Sequence, residues 1–143
     1  MKTVKTILLV DDDPIANFIN KRLLEKMQIA KEVKVLLNGE EAIDYVKEVI
    51  ENSLSLPEYI FLDINMPVMD GFEFIANFRA LNISQQKTTI IVLSTSTHST
   101  DKKRMEDSGV NYFLNKPLTE GKVKETLDLI QKESNKNFVM DLK

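Results

Sequence analysis

The chain has 143 residues, 43% hydrophobic and 29% charged, which excludes a disordered or fibrous polymer and suffices for one domain with a real core. Its net charge of only -3 leaves no electrostatic footprint for nucleic acid, so no such partner is expected. The absence of cysteine excludes disulfides, thiol chemistry and Cys-built zinc sites.

The apolar run before the first acids is only four residues long, Ile7 to Val10. That is too short for a signal-peptide core or a membrane span, so a cytoplasmic protein without a membrane partner is expected. Ile7-Leu8-Leu9-Val10 reads as a buried strand. Asp13-Pro14 then marks a helix start, with an acid at the N-cap and proline at the first helical position. Ile15, Ile19, Leu23 and Met27, at steps of four, predict the apolar stripe of this helix.

Val33 to Leu36 alternates and predicts a second strand nearer an edge. After Asn38-Gly39 a helix from about Glu40 carries Ala42, Ile43, Val46 and Ile50, and Asn52 to Pro57 is a loop. Tyr59-Ile60-Phe61-Leu62-Asp63 is a third strand, apolar throughout until its terminal acid, as suits a strand covered on both faces. Asp70-Gly71 opens a third helix with two apolar stripes, Phe72/Ile75/Ala76 and Phe74/Phe78/Leu81, which predicts deep burial.

Thr89 to Leu93 is a fourth strand, running into the hydroxyl cluster Ser94 to Thr97. Thr100 to Ser108 is mostly charged and predicts an exposed helix ended by Gly109. His98, the sole histidine, reads as a loop residue and not a ligand. Tyr112-Phe113-Leu114 is a fifth strand, followed by Asn115-Lys116-Pro117. A last helix over Thr119 to Lys132 places Val123, Leu127 and Ile130 on one face. Five strands alternating with five helices imply an α/β layered fold with a parallel sheet.

The chemistry-bearing residues fall at strand ends: Asp11-Asp12-Asp13 after the first strand, Asp63 after the third, Ser94-Thr95-Ser96 after the fourth and Lys116-Pro117 after the fifth. In a parallel sheet these ends share one edge. Carboxylates so gathered repel unless a cation or proton intervenes. Hard oxygen ligands without His or Cys favour Mg2+ over zinc. A carboxylate can itself accept a phosphoryl group, with a metal and a lysine neutralising its oxygens. Each feature has an ordinary reading too: a helix cap for the acids, a polar loop for Ser94 to Thr97, a surface lysine, a core phenylalanine. Their combination points to phosphoryl transfer onto Asp63; for Asp13 the cap reading is preferred.

Asp11-Asp12, Asp63-Ile64-Asn65-Met66-Pro67 with Asp70-Gly71, Ser94 and Lys116-Pro117, in this order, resemble the receiver domain of response regulators, chemotaxis-regulator type, over about residues 5 to 133. The resemblance implies a doubly wound, five-stranded parallel sheet in the flavodoxin-like order 2-1-3-4-5 with five helices. It implies Asp63 as phosphoacceptor and Mg2+ held by Asp11, Asp12, Asp63 and the main-chain carbonyl of Asn65. Ser94 is the implied switch hydroxyl, Phe113 the implied switch aromatic, and Lys116 the implied partner of the phosphoryl group, joined to Pro117 by a cis peptide. Asn65 and Ser96 match positions that tune phosphoryl loss. Thr95 stands where many members have alanine, and its branched side chain would narrow access to Asp63. The loop over Asn52 to Pro57 is longer than a minimal receiver needs.

The implied function is a stand-alone switch: a receiver over residues 1-133 with a tail over 134-143 and no output domain. It is not an enzyme in its own right, although it catalyses its own phosphorylation and dephosphorylation. The implied partners are a sensor histidine kinase or phosphotransfer protein, then a downstream protein or a second copy at the surface of the last third. The alternatives are an interaction module that is never phosphorylated, a flavodoxin-like flavin binder and an aspartyl phosphatase. Three acids after the first strand argue against the flavin binder, since they repel phosphate. The absence of an acid two residues after Asp63 argues against the phosphatase.

Overall fold

The computed structural model describes residues 3–81, 88–95, 103–104 and 106–141, with side chains as far as residue 133. Five strands, β1 (Val4–Val10), β2 (Ala30–Leu36), β3 (Tyr59–Asp63), β4 (Thr89–Ser94) and β5 (Tyr112–Asn115), form one sheet. Their order is β2-β1-β3-β4-β5, and every pair is parallel. The helices are α1 (Pro14–Lys26), α2 (Gly39–Glu51), α3 (Gly71–Ala80) and α4 (Glu120–Asp141).

Four helices are thus seen among the described residues where five are expected. The fifth, over Thr100 to Ser108, falls partly outside them; Lys103, Arg104, Glu106 and Asp107, which are described, have helical backbone. His98, Lys102 and Met105 also lie outside the described residues. The backbone of α4 stays helical well past Lys132. Residues 133–141 contain neither proline nor glycine to stop it.

Successive strand residues point to opposite faces, and here both faces are covered. Ile7 and Leu9 of β1, Phe61 of β3 and Ile91 and Leu93 of β4 pack in one core with Leu24 of α1 and Val123, Leu127 and Ile130 of α4. Leu8 and Val10, Ile60 and Leu62, and Val92 form the other core with Ala42 and Ile43 of α2 and Phe74 and Ile75 of α3. This two-sided demand explains why the central strands are continuous apolar runs.

Two helices settle differently from their expected faces. In α1, Ile15 and Ile19 are 71% and 58% exposed, while Asn17, Asn20 and Leu24 are buried. A step of four residues advances 400°, so a line drawn only at steps of four winds around the helix. The face turned to the sheet follows steps of three and four, and polar residues occupy two of its places. In α2, Val49 is buried and Ile50 is 37% exposed. Val49 packs with Val46 and Leu56, so the loop before β3 contributes its own apolar residue to the core.

In α3, Phe74 and Ile75 are buried and Phe78 stacks on Phe74, while Ala76 is exposed. Phe72, on the first stripe, packs at the edge of the core, and the Arg104 guanidinium lies 4.0 Å over its ring, a favourable cation–π contact. The helix begins with a capping box, Asp70 accepting from the Glu73 N–H and Glu73 from the Asp70 N–H.

Candidate functional site

Strand register decides which side chains meet. Val10 pairs with Leu62, Asp63 with Leu93, and Ser94 with Asn115. Asp11 therefore emerges beside Asp63 on the adjacent strand, and Lys116 follows the last paired residue of β5. With strands about 4.8 Å apart, three stretches of sequence deliver their polar groups to one crevice.

Lys116 is the hinge of this arrangement. Its Nζ lies 2.9 Å from Asp11 Oδ2 and 3.3 Å from Asp63 Oδ1. The Lys116 N–H donates to the Ser94 carbonyl at 3.0 Å, extending the β4–β5 ladder by one bond. The Lys116–Pro117 peptide is cis. Ser94 is buried, Thr95 is exposed, and Ser96 lies outside the described residues. Phe113 is 43% exposed, so its ring faces outward in this structure.

Asp11 is fully buried, and its polar atoms are held on all sides. Its N–H donates to the Leu36 carbonyl at 3.1 Å. Its Oδ1 accepts from the Asp13 N–H at 3.0 Å and its Oδ2 from Lys116. Its carbonyl accepts from Asn17 Nδ2 at 2.7 Å. Asp13 is an N-cap, accepting from Ile15 and Ala16 N–H groups, as its sequence context indicates. Asp12 is exposed.

Burial and the neighbouring charge of Asp11 push the Asp63 carboxyl up from 3.8 to about 6. Lys116 and a long contact from the Asn65 N–H (3.5 Å) only partly oppose this. For Lys116, burial alone favours the neutral amine. Its hydrogen bond to Asp11 and the charges of Asp63 and Asp11 outweigh burial and hold its pKa above the usual lysine value.

Asp11, Asp12 and Asp63 each place a carboxylate oxygen within 4.8 Å of the others. An all-oxygen set with waters making up the remaining ligands fits Mg2+ and suits neither zinc nor copper. The donor chemistry therefore fits the ion expected from the sequence.

The loop that carries the set away from β3 is tightly built. A Cβ on Gly71 would sit 2.7 Å from Ile64 Cα and 2.8 Å from the Asp63 carbonyl oxygen, so no side chain fits there. Val68 adopts φ +69°, a conformation that costs a β-branched residue energy. It closes a three-residue turn in which the Met69 N–H donates to the Pro67 carbonyl at 2.7 Å. The Gly39 N–H binds the Met69 carbonyl at 3.0 Å and ties this turn to the start of α2.

The sequence profile of the response regulator receiver domain matches residues 7–128. The chain belongs to this family. Among receiver relatives, a probable methanogenesis regulatory protein of Methanothrix harundinacea is 30% identical over 125 residues, covering 87% of this chain and 80% of its own. The receiver domain of an Arabidopsis thaliana histidine kinase, solved in complex with Mg2+ and BeF3-, superposes with TM-score 0.78 at 28% identity, covering 90% of each chain. A Saccharomyces cerevisiae complex of a histidine phosphotransfer signaling protein with the receiver domain of its downstream response regulator also matches. Its TM-score is 0.68 at 29% identity, over 87% of this chain and 86% of that one.

Of the residues singled out in the sequence, Asp11, Asp12, Asp63 and Lys116 converge in this receiver, and the buried Ser94 ends the strand beside Asp63. Phe113 points away. Asn17 was not among them. Its signal was an amide on the sheet-facing side of α1, four residues after the cap, where an apolar residue is the ordinary choice.

Proposed function

We propose that this receiver is a phosphorylation switch in which Asp63 accepts a phosphoryl group from a phosphohistidine on a partner kinase or phosphotransfer protein. The reading is carried by one observation: Asp63 stands at a strand end with Lys116 at 3.3 Å and two further carboxylates within 4.8 Å. An Asp63 carboxylate oxygen attacks phosphorus, the phosphorus–nitrogen bond breaks, and the leaving imidazole keeps the electron pair and takes a proton. Lys116 offsets charge on the phosphoryl oxygens, and Ser94 supplies a hydroxyl beside them. Asp11, Asp12, Asp63 and the Asn65 carbonyl would hold Mg2+, which supplies further positive charge for the transferring group. Hydrolysis of the acyl phosphate resets the switch, at a rate tuned by Asn65, Thr95 and Ser96.

A partner has apolar surface to use. Ile15, Phe18 and Ile19 follow Asp11 to Asp13 and are 71%, 63% and 58% exposed, and Val68, beyond Asp63, is 72% exposed. The output surface is assigned to the last third of the chain, where Phe113 repacks when Asp63 is modified, biasing a two-state equilibrium. Residues 1-133 serve as the switching unit and 134-143 as its tail.

Intact mass after incubation with Mg2+ and acetyl phosphate tests the reading. Gain of one phosphoryl group, absent without Mg2+ and absent in Asp63→Asn, supports the switch. A folded protein that binds Mg2+ but gains nothing from acetyl phosphate or from a phosphorylated phosphotransfer protein supports the module that is never phosphorylated.

A further inference from the structure

We infer that Asn17 is a positioning residue for the acid pair: its side-chain amide fixes the peptide joining Asp11 to Asp12 and so aims both carboxylates at one ion. The inference rests on the reading that Mg2+ is held by Asp11, Asp12 and Asp63.

The peptide at issue is the one whose carbonyl belongs to Asp11 and whose N–H belongs to Asp12. On its N-terminal side, Asp11 is anchored through its own N–H and both carboxylate oxygens. The carbonyl lies past the last paired residue of β1, so no strand neighbour holds it. Asn17 Nδ2 does, at 2.7 Å. Rotation of this peptide plane would swing Asp12 relative to Asp11, since the two carboxylates hang from its opposite ends. Asp12 itself is exposed, with little packing to set its direction.

The cost of the device is visible. Asn17 is 4% exposed, and its Oδ1 is buried with no hydrogen-bond partner among the described residues. A buried acceptor without a donor is destabilising, and an apolar side chain of similar volume removes that penalty. Leucine at this site, in the same helix as Leu24 of the apolar core, removes that penalty but leaves the Asp11 carbonyl without its donor, so the two effects largely offset. The amide's gain is the hold on Asp11. Residues that orient metal ligands through hydrogen bonds typically change affinity about 10- to 100-fold when removed.

The test measures two quantities on the full chain and on Asn17→Leu and Asn17→Ala: the thermal midpoint in EDTA, and the Mg2+ dissociation constant by calorimetry. Two apolar variants of different volume guard against one failing to fold. The expected result is a Mg2+ affinity lowered about 10-fold or more in every folded variant, with the Asn17→Leu midpoint in EDTA near that of the parent. Unchanged Mg2+ affinity in a folded variant overturns the inference, whatever happens to the midpoint, because a purely structural amide affects stability alone. Loss of folding in both variants overturns it as well, since the amide would then be required by the fold. If the parent itself binds no Mg2+, the reading of the site fails first, which separates the two ideas.

Discussion

Replacing Asp63 by asparagine preserves shape and deletes one charge, and the structure indicates what that charge costs. Burial and Asp11 raise the carboxyl from 3.8 to about 6 in the folded protein, whereas an unfolded aspartate ionises near 3.9. A raised folded pKa means that the folded state holds the proton more tightly. The stability contributed by protonated Asp63 is therefore fully present below the unfolded pKa and is lost as pH rises to about 6, with little further change above. A difference of about two pH units corresponds to about 3 kcal/mol, of which about 2 kcal/mol falls between about pH 4.5 and about pH 7.5. The amide of the Asp63→Asn variant does not titrate, and Lys116 would keep its 2.9 Å bond to Asp11. Urea unfolding in EDTA should show the stability of Asp63→Asn rising relative to the parent by about 2 kcal/mol across that interval. Parallel stability profiles for the two proteins would refute the claim that the fold holds this carboxylate against its preference.

Lys116→Met leaves Asp11 buried without its cation and should cost about 3 kcal/mol or more at neutral pH, an effect measured by denaturant titration. Gly71→Ala forces a methyl group against the Ile64 and Asp63 backbone at 2.7 and 2.8 Å. It should destabilise by about 1–3 kcal/mol; an unchanged urea midpoint would show that the loop yields. Val68→Asn relieves a β-branched residue at φ +69° while losing little buried surface, since Val68 is 72% exposed. A gain of about 1 kcal/mol is expected in the same assay.

Much of this molecule was legible in the sequence, for a physical reason. The strands covered on both faces are unbroken apolar runs, and each run ends where a polar group enters the crevice, so Asp63 and Lys116 could be placed before any coordinates. The order of strands came from the family resemblance, because alternation of elements does not specify which strands adjoin. Helix faces were less legible. Ile15 and Ile19 look like core by composition, yet Asn17 and Asn20 take the inward places, because direction around the helix decides burial. Val49 displaced Ile50 for the same reason, one step apart on α2. Asn17 escaped notice because its role depends on a carbonyl past the end of the sheet ladder, which no residue pattern reveals.

The bond from Lys116 to Asp11 joins residues 105 positions apart. It works as a clasp on a necklace: most of the domain lies between the two ends it fastens. Anything that tightens or loosens the clasp acts on β1 and β5 together, though the two strands are not neighbours in the sheet. A ligand bound at the clasp therefore strengthens the whole loop, by mass action on global unfolding. Protection from hydrogen exchange at both strands should report occupancy of a crevice that neither strand could build alone.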